Sequence, residues 1–434
     1  IALQNEGIMS TEIFEQWESE IRGYCRAYPV VFNTAENARQ TDEDGKVYID
    51  FFAGAGVLNF GHNNEKMKQA VIDYIQSNGV THSLDMFTVA KRDFIEAFVE
   101  TIQKPRGMDY KLQFMGPTGT NAVEAALKIA RRATGRETVF SFTQGFHGMT
   151  LGALACTAND YFRNAAGVPL NYVHRVPFQR CGKCPLKERN DVCCDIKGLR
   201  EQLEDPSSGL KAPAAFILEA IQAEGGVNVA TEKWLKDLRQ LAKDVGALFI
   251  IDDIQAGCGR TGSYFSFDGM DLDPDVVTLA KGLGGMGTPI AMNMIKPEYD
   301  KHWSPGEHTG TFRGQNLSFI AGREGLRYFE DDELMTQVKR KGEVMRATLD
   351  DLAKDLDGHN VEVRGKGMIQ ALDVGDGGKA KEIAKTCFER GLLFGPCGSG
   401  GRVLKLIPPL TIPDEDLEEG LDIFKNTVLE VMNR

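Results

Sequence analysis

Apolar residues recur at helical spacing from Ile13 to Arg26, which predicts a helix there, and DEDGKVYIDFFAG beyond it reads as a turn followed by a strand. From about Asn64 to Arg313 amphipathic stretches alternate with short apolar runs, among them KLQFMG, ETVFSF, AAFILEA, ALFIID and DVVTLA. Alternation of this kind predicts βαβ units and an α/β architecture, a mainly parallel sheet with helices on both faces. After Asn316 the pattern changes to one long helix over Leu317–Leu352, then VEVRGKGMIQALDV, a helix in KAKEIAKTCFERG, RVLKLIPPL and a last amphipathic helix. The expected organisation is a large domain over 64–316 and a smaller α+β domain over 317–434, completed by the N-terminal segment 1–63. There are no internal repeats or low-complexity tracts.

A chain of 434 residues with 42% hydrophobic and 26% charged content is expected to be soluble and to fold as more than one domain. Its net charge of -12 provides no basic field for a phosphate backbone, which argues against nucleic acid as a partner. No apolar run approaches the roughly 20 residues that span a bilayer, and no basic-then-apolar signal opens the chain, so a membrane is not expected either. Nine scattered cysteines suit a reducing cytoplasm. Cys181, Cys184, Cys193 and Cys194 are the exception. They read as a polar surface excursion with free thiols, with a zinc or redox site as the alternative; no metal is assigned.

Candidate chemistry centres on Lys281, in VVTLAKGLGG, a short interval after ALFIIDDIQAGCGRTG. An amine near an acid at the end of an apolar strand suits pyridoxal phosphate, where lysine forms a Schiff base and the carboxylate keeps the ring nitrogen protonated. A single lysine is more often a surface charge, so the neighbouring motifs carry the weight. GPTGTNAVEAALKIARRATG joins a Gly-rich turn to a helix whose stripe is Ala122, Val123, Ala126, Leu127 and Ala130, with Gly135 as its stop. The turn at Thr118, Gly119 and Thr120 offers N–H groups and hydroxyls to a phosphate, or is an ordinary capped helix. Phe146 and His147, in FTQGFHGMTLGAL, form a flat surface for a ring or pack in the core. ILEAIQAEGG and FIIDDIQAGCGRTG end apolar strands with acids, where ligands bind in parallel sheets. GAGVLNFG is no dinucleotide motif, because Asn59 occupies the third glycine position.

In order from Asp44 to Thr411, the set DGKVYIDF, GPTGTNAVEAA, GFHG, EAIQAEGG, DDIQAGCGRTG, LAKG, GTFRGQN and PPLT resembles the ω-aminotransferase subgroup (class III) of fold-type I pyridoxal phosphate enzymes. The resemblance implies that fold, pyridoxal 5'-phosphate as cofactor, and a homodimer with shared sites. It implies Lys281 as Schiff-base lysine and proton shuttle, Asp252 on the pyridine nitrogen and Gln255 near the ring hydroxyl. It also implies Gly119 and Thr120 on the phosphate, Phe146 with His147 at the ring, and Thr311 reaching a neighbouring subunit's phosphate. Ala55, Glu224, Arg313 and Lys405 are implied as substrate contacts.

Several positions depart from the wider family. Asn121 stands where many relatives have Glu, Lys405 where aminobutyrate-type relatives have an arginine facing Glu224, and Arg313 where a small residue is usual. With ESEIRGYCRAYP and THSLDMFTVAKRDF, these are similar to the diaminobutyrate–2-oxoglutarate branch of ectoine-type pathways. The implied reaction converts L-aspartate 4-semialdehyde and L-glutamate to L-2,4-diaminobutyrate and 2-oxoglutarate. Alternatives are another ω-amine (ornithine, lysine, 4-aminobutyrate, β-alanine), a decarboxylase or mutase on the same fold, and a non-catalytic scaffold.

Overall fold

Continuous apolar runs, buried on both faces, give the central sheet its strands. The structure, a computed structural model, describes residues 11–179 and 194–434, so Cys181, Cys184, Cys193 and the side chain of Cys194 lie outside the described residues. Strands β4 (Lys111–Phe114), β5 (Val139–Phe142), β6 (Val173–Val176), β7 (Ala215–Leu218), β10 (Leu248–Asp252), β11 (Val276–Leu279) and β12 (Met292–Ile295) form a seven-stranded sheet ordered β4-β12-β11-β10-β7-β5-β6. The pairs from β11 to β6 are all parallel, and β12 runs antiparallel to both its neighbours. Phe249 and Ile251 pack into one core layer, whereas Leu248 and Ile250 join Val123, Leu127 and Ala130 in the other. Each such fully buried Val, Leu, Ile or Phe side chain contributes about 1.5–3 kcal/mol.

The first strands, β1 (Phe32–Glu36), β2 (Arg39–Asp42) and β3 (Val47–Asp50), pair with β15 (Leu392–Leu393), so the start of the chain shares a sheet with its last third. A second four-stranded sheet, all antiparallel, is ordered β13 (Glu362–Lys366), β14 (Ile369–Asp373), β17 (Val403–Leu406), β16 (Gly395–Cys397). β8 (Ile221–Gln222) and β9 (Asn228–Val229) make a short hairpin beside the site. Among the described residues no helix is long and apolar enough to cross a membrane.

Two helices are shorter than the sequence pattern predicts. The one expected over Ile13–Arg26 is helical only over Glu12–Trp17, with a 3-10 turn at Tyr24–Arg26. Its apolar positions Ile13, Phe14, Trp17 and Ile21 are exposed, so helical spacing finds no core to pack against. The single helix expected over Leu317–Leu352 is two, Asn316–Leu326 and Glu333–Asp355, separated by a 3-10 turn at Arg327–Phe329. The Asp331 carboxylate accepts the Glu333 N–H at 2.9 Å, so the EDD run starts a new helix instead of extending the old one.

Candidate active site

The parallel strands β5, β7, β10 and β11 lie side by side, and their carboxyl ends deliver Phe146–His147, Glu219, Asp252 and Lys281 to one place. Asp252 closes β10. Its Oδ2 lies 2.8 Å from His147 Nδ1 and its Oδ1 accepts the Ile254 N–H at 3.2 Å. Burial works against a charge on His147, but the hydrogen bond and charge of Asp252 outweigh it and raise its pKa. Glu219 accepts N–H groups from Phe146 at 2.9 Å and Ala223 at 3.2 Å. Burial pushes its carboxyl up to about 7.

The helix Gly119–Thr134 begins beside these strand ends. Its N-cap residue Thr118 makes no side-chain cap hydrogen bond, which leaves the opening N–H groups and hydroxyls available to an anion. Space there is reserved by glycine. A Cβ on Gly119 would lie 3.0 Å from Ile254 Cδ1, and one on Gly148, at φ +124°, would lie 2.3 Å from Thr120 Oγ1. The Thr120 hydroxyl lies 2.7 Å from that of Thr150, which donates to Glu124 at 2.6 Å. Asn121 accepts from His308 Nε2 at 2.8 Å, tying this turn to the loop that carries Thr311.

Lys281 follows β11 with a positive φ of 47°, and its Nζ donates to the Ala55 carbonyl at 3.0 Å. Desolvation lowers its pKa to about 8, with Glu224 opposing and Lys405 reinforcing the shift. Gln255 Nε2 donates to the same carbonyl at 2.6 Å, while Gln255 Oε1 accepts from Lys405 Nζ at 3.0 Å. Lys405 also pairs with Glu224, as the aligned motifs suggest. Burial acts to raise the Glu224 pKa, yet the charges of Lys405 and Lys281 hold it at about 2. Gln255 is therefore occupied on both ends.

These groups border a cavity of about 350 Å³ whose lining includes Gly119, Thr120, Phe146, His147, Glu224, Asp252, Gln255 and Lys281. Ala55 and Lys405 reach it through their hydrogen bonds. Thr311 and Arg313 do not line it: Thr311 is exposed and Arg313 lies 3.5 Å from Asp85. Glu219, Ile254 and Val57, which line the cavity, and Thr150, bonded to Thr120, have no role implied by the sequence motifs. Glu219 and Ile254 sit inside the motifs already singled out, at strand ends where ligands gather, and that position was the available signal. Among the described residues no group of three or more His, Cys, Asp or Glu is arranged to hold a metal.

The family described as "Aminotransferase class-III" matches residues 23–428. The chain belongs to the class III aminotransferases. Among curated relatives of this class III aminotransferase, the diaminobutyrate–2-oxoglutarate transaminase of Nocardia farcinica is 49% identical over 419 residues, covering 96% of this chain and 94% of that protein. The protein of the same name from Halomonas elongata is 48% identical over 429 residues, covering 98% and 100%. The solved ornithine aminotransferase from Toxoplasma gondii matches with a TM-score of 0.82 at 27% identity, over 97% of this chain and 94% of that one. The omega transaminase from Pseudomonas jessenii in complex with PMP shares the fold, with a TM-score of 0.86 at 20% identity over 98% and 99%.

Class III aminotransferases use pyridoxal 5'-phosphate, and the residues present fit it. The donor set matches the cofactor's three polar ends: an uncapped helix start kept open by Gly119 and Gly148 for the phosphate, the Asp252 carboxylate for a protonated ring nitrogen, and the Lys281 amine for an aldehyde.

Proposed function

We propose that this aminotransferase moves an amino group from L-glutamate to the aldehyde of L-aspartate 4-semialdehyde, giving L-2,4-diaminobutyrate and 2-oxoglutarate. The observation carrying this reading is near-full-length identity of 44–49% to relatives that bear the diaminobutyrate–2-oxoglutarate name. When bound, pyridoxal 5'-phosphate supplies an aldehyde that takes up the amino group and a ring that accepts the electron pair left on carbon. Asp252 keeps a proton at the ring nitrogen, supported by His147. Lys281, made less basic by burial, moves a proton to and from Cα of the bound amino acid.

One pocket must accept glutamate, with two carboxylates, and diaminobutyrate, with two amines. In this reading Glu224 and Lys405 stay engaged for the diamine, and Lys405 turns to the second carboxylate when glutamate binds. An ammonium in place of a guanidinium fork gives a looser hold on that carboxylate. Thr311 reaches a second copy of the chain. Support for a homodimer comes from the exposed apolar side chains Leu84, Met86, Phe87 and Phe312, set side by side by the Arg313–Asp85 pair and the His82–Phe312 ring contact. The same reading divides the chain near 63 and 316 and puts it in the cytoplasm in an ectoine-type pathway, consistent with the unpaired thiols of Cys156, Cys258, Cys387 and Cys397.

The test is a half-reaction panel. Holoenzyme is mixed with diaminobutyrate, ornithine, lysine, 4-aminobutyrate and β-alanine, and the absorbance of the bound cofactor is followed. Diaminobutyrate is expected to react fastest; a rate no greater than ornithine's removes the substrate assignment.

A further inference from the structure

Four consecutive residues, Ala53, Gly54, Ala55 and Gly56, all have positive φ, at 50°, 61°, 60° and 85°. L-residues visit this region singly, in turns, and a run containing two alanines is strained. Such a turn survives only where its surroundings hold it. Here the buried Asp50 Oδ1 accepts the N–H groups of Phe52 at 2.8 Å and Ala53 at 2.7 Å. Asp50 Oδ2 is in turn fixed by Gln40 at 2.9 Å and His62 at 2.7 Å. The Ala53 carbonyl accepts from Val57 at 2.9 Å and Leu58 at 3.0 Å. The product of all this is one carbonyl, that of Ala55, which takes Lys281 Nζ at 3.0 Å and Gln255 Nε2 at 2.6 Å.

We propose that the Ala55 carbonyl is a positioning group for Lys281, a strained backbone acceptor that holds the lysine amine whenever it is not bonded to cofactor. The proposal rests on the reading of Lys281 as the amine of the reaction. It gives Ala55, which the resemblance implies as a substrate contact, a role towards Lys281. An amine with one N–H tied to a carbonyl cannot swing freely through the cavity, and its lone pair is turned away from that carbonyl, since two electron pairs repel. Pre-orientation of a base in this way removes rotational freedom before the proton moves. Lys281 also faces the charges of Glu224, Lys405, Asp252 and Glu219, and any pH effect is read against that background.

The full-length enzyme loaded with the amine form of its cofactor leaves Lys281 Nζ unbonded, and cyanate carbamylation of position 281 is then followed by mass spectrometry. Ala55→Gly keeps the carbonyl and tolerates the positive φ, so its carbamylation is expected to match the unmodified enzyme. Ala55→Val, β-branched, rejects that φ and moves the carbonyl away. Loss of an acceptor from the ammonium frees more neutral amine, so carbamylation at pH 7 is expected to rise about tenfold, the scale of one hydrogen bond to a charged group. The isotope effect with α-deuterated glutamate is expected to grow as proton transfer slows. Melting and cofactor absorbance establish that the variant is folded. An ester in place of the Ala55–Gly56 amide weakens the same acceptor with every side chain kept, and serves if the valine variant does not fold. A folded variant of either kind that carbamylates at the unmodified rate overturns the proposal, as does an Ala55→Gly effect equal to that of valine. No modification at 281 in any form would instead overturn the assignment of Lys281 itself.

Discussion

His147 Nδ1 and Asp252 Oδ2 meet at 2.8 Å, with both side chains almost wholly buried. A buried carboxylate is costly without partners, and this one has two, the imidazole and the Ile254 N–H, held at the end of the central strand β10. The arrangement fixes the Asp252 carboxyl group in the lining of the cavity. Asp252→Asn keeps the shape and removes the charge. Both half-reactions are expected to slow by about 10²–10³-fold, the scale of one electrostatic group aimed at a developing charge, with a smaller change in KM. NMR titration of His147 in the same variant is expected to show its pKa falling, because the group that raises it has gone.

The strands were legible because each must place apolar residues on two faces of one sheet, which leaves continuous runs such as LFII before Asp252. The site was legible for the same reason: strand ends in a parallel sheet converge, so acids and a lysine after such runs had to meet. Conformation set by remote contacts was not legible. DEDGKVYIDFFAG reads as a turn followed by a strand, and nothing in it announces the left-handed turn at Ala53–Gly56, which depends on Asp50 as anchored by Gln40 and His62. Arg260, in the same motif as Asp252, is wholly buried and donates to the Met368 and Pro408 carbonyls and to Asn59, partners 108, 148 and 201 residues away that no local pattern announces. The helix expected from Ile13 failed because periodicity records what an element offers to a core, not whether a core is there.

Lys281 links both activity and stability to pH, and both rise as the amine loses its proton. As a base it must be neutral, so the glutamate half-reaction is expected to rise with pH through about 8 and level off above it. Its pKa in the fold lies below the unfolded value of 10.5, so the unfolded chain binds more protons between these limits. The lysine therefore costs stability below pH 8, and that cost fades as pH climbs towards 10.5. Lys281→Met in the cofactor-free chain is expected to raise Tm at pH 7 and to lose this advantage near pH 10. Thermal melts across that range measure both; an equal gain at every pH contradicts the account.

Glu219 works the other way round. Its pKa in the fold is about 7 against an ordinary 4.5, so between these values the native state binds the extra proton. Stability from this group is present near pH 4.5 and lost as pH rises through 7. Glu219→Gln keeps an acceptor for the Phe146 N–H and has no charge to bury. The Tm of the variant relative to the unmodified protein is expected to increase between pH 5 and pH 8, and a difference independent of pH defeats the prediction. Because the amide oxygen of the variant keeps its hold on the Phe146 backbone, cofactor affinity, read by equilibrium dialysis, is expected to change little.

Lys405 is buried between Glu224 and Gln255, and the two acceptors have different claims on it. Lys405→Ala strands the Glu224 carboxylate. The expected loss is about 3 kcal/mol, the low end for a buried pair, because the Glu224 side chain keeps 30% exposure. Glu224→Gln in the same chain removes the stranded charge, so the double variant should be less destabilised than the sum of the two single ones. Kinetics separate this structural role from the proposed switch. If Lys405 turns to the second carboxylate of glutamate, Lys405→Ala slows the glutamate half-reaction far more than the diaminobutyrate one. Lys405→Arg, which restores a cation with a stiffer fork, should recover glutamate binding while slowing the return to Glu224. Stopped-flow rates for the two amino donors decide it: equal losses with both leave Lys405 as a structural partner of Glu224, and an unchanged glutamate rate rules the switch out.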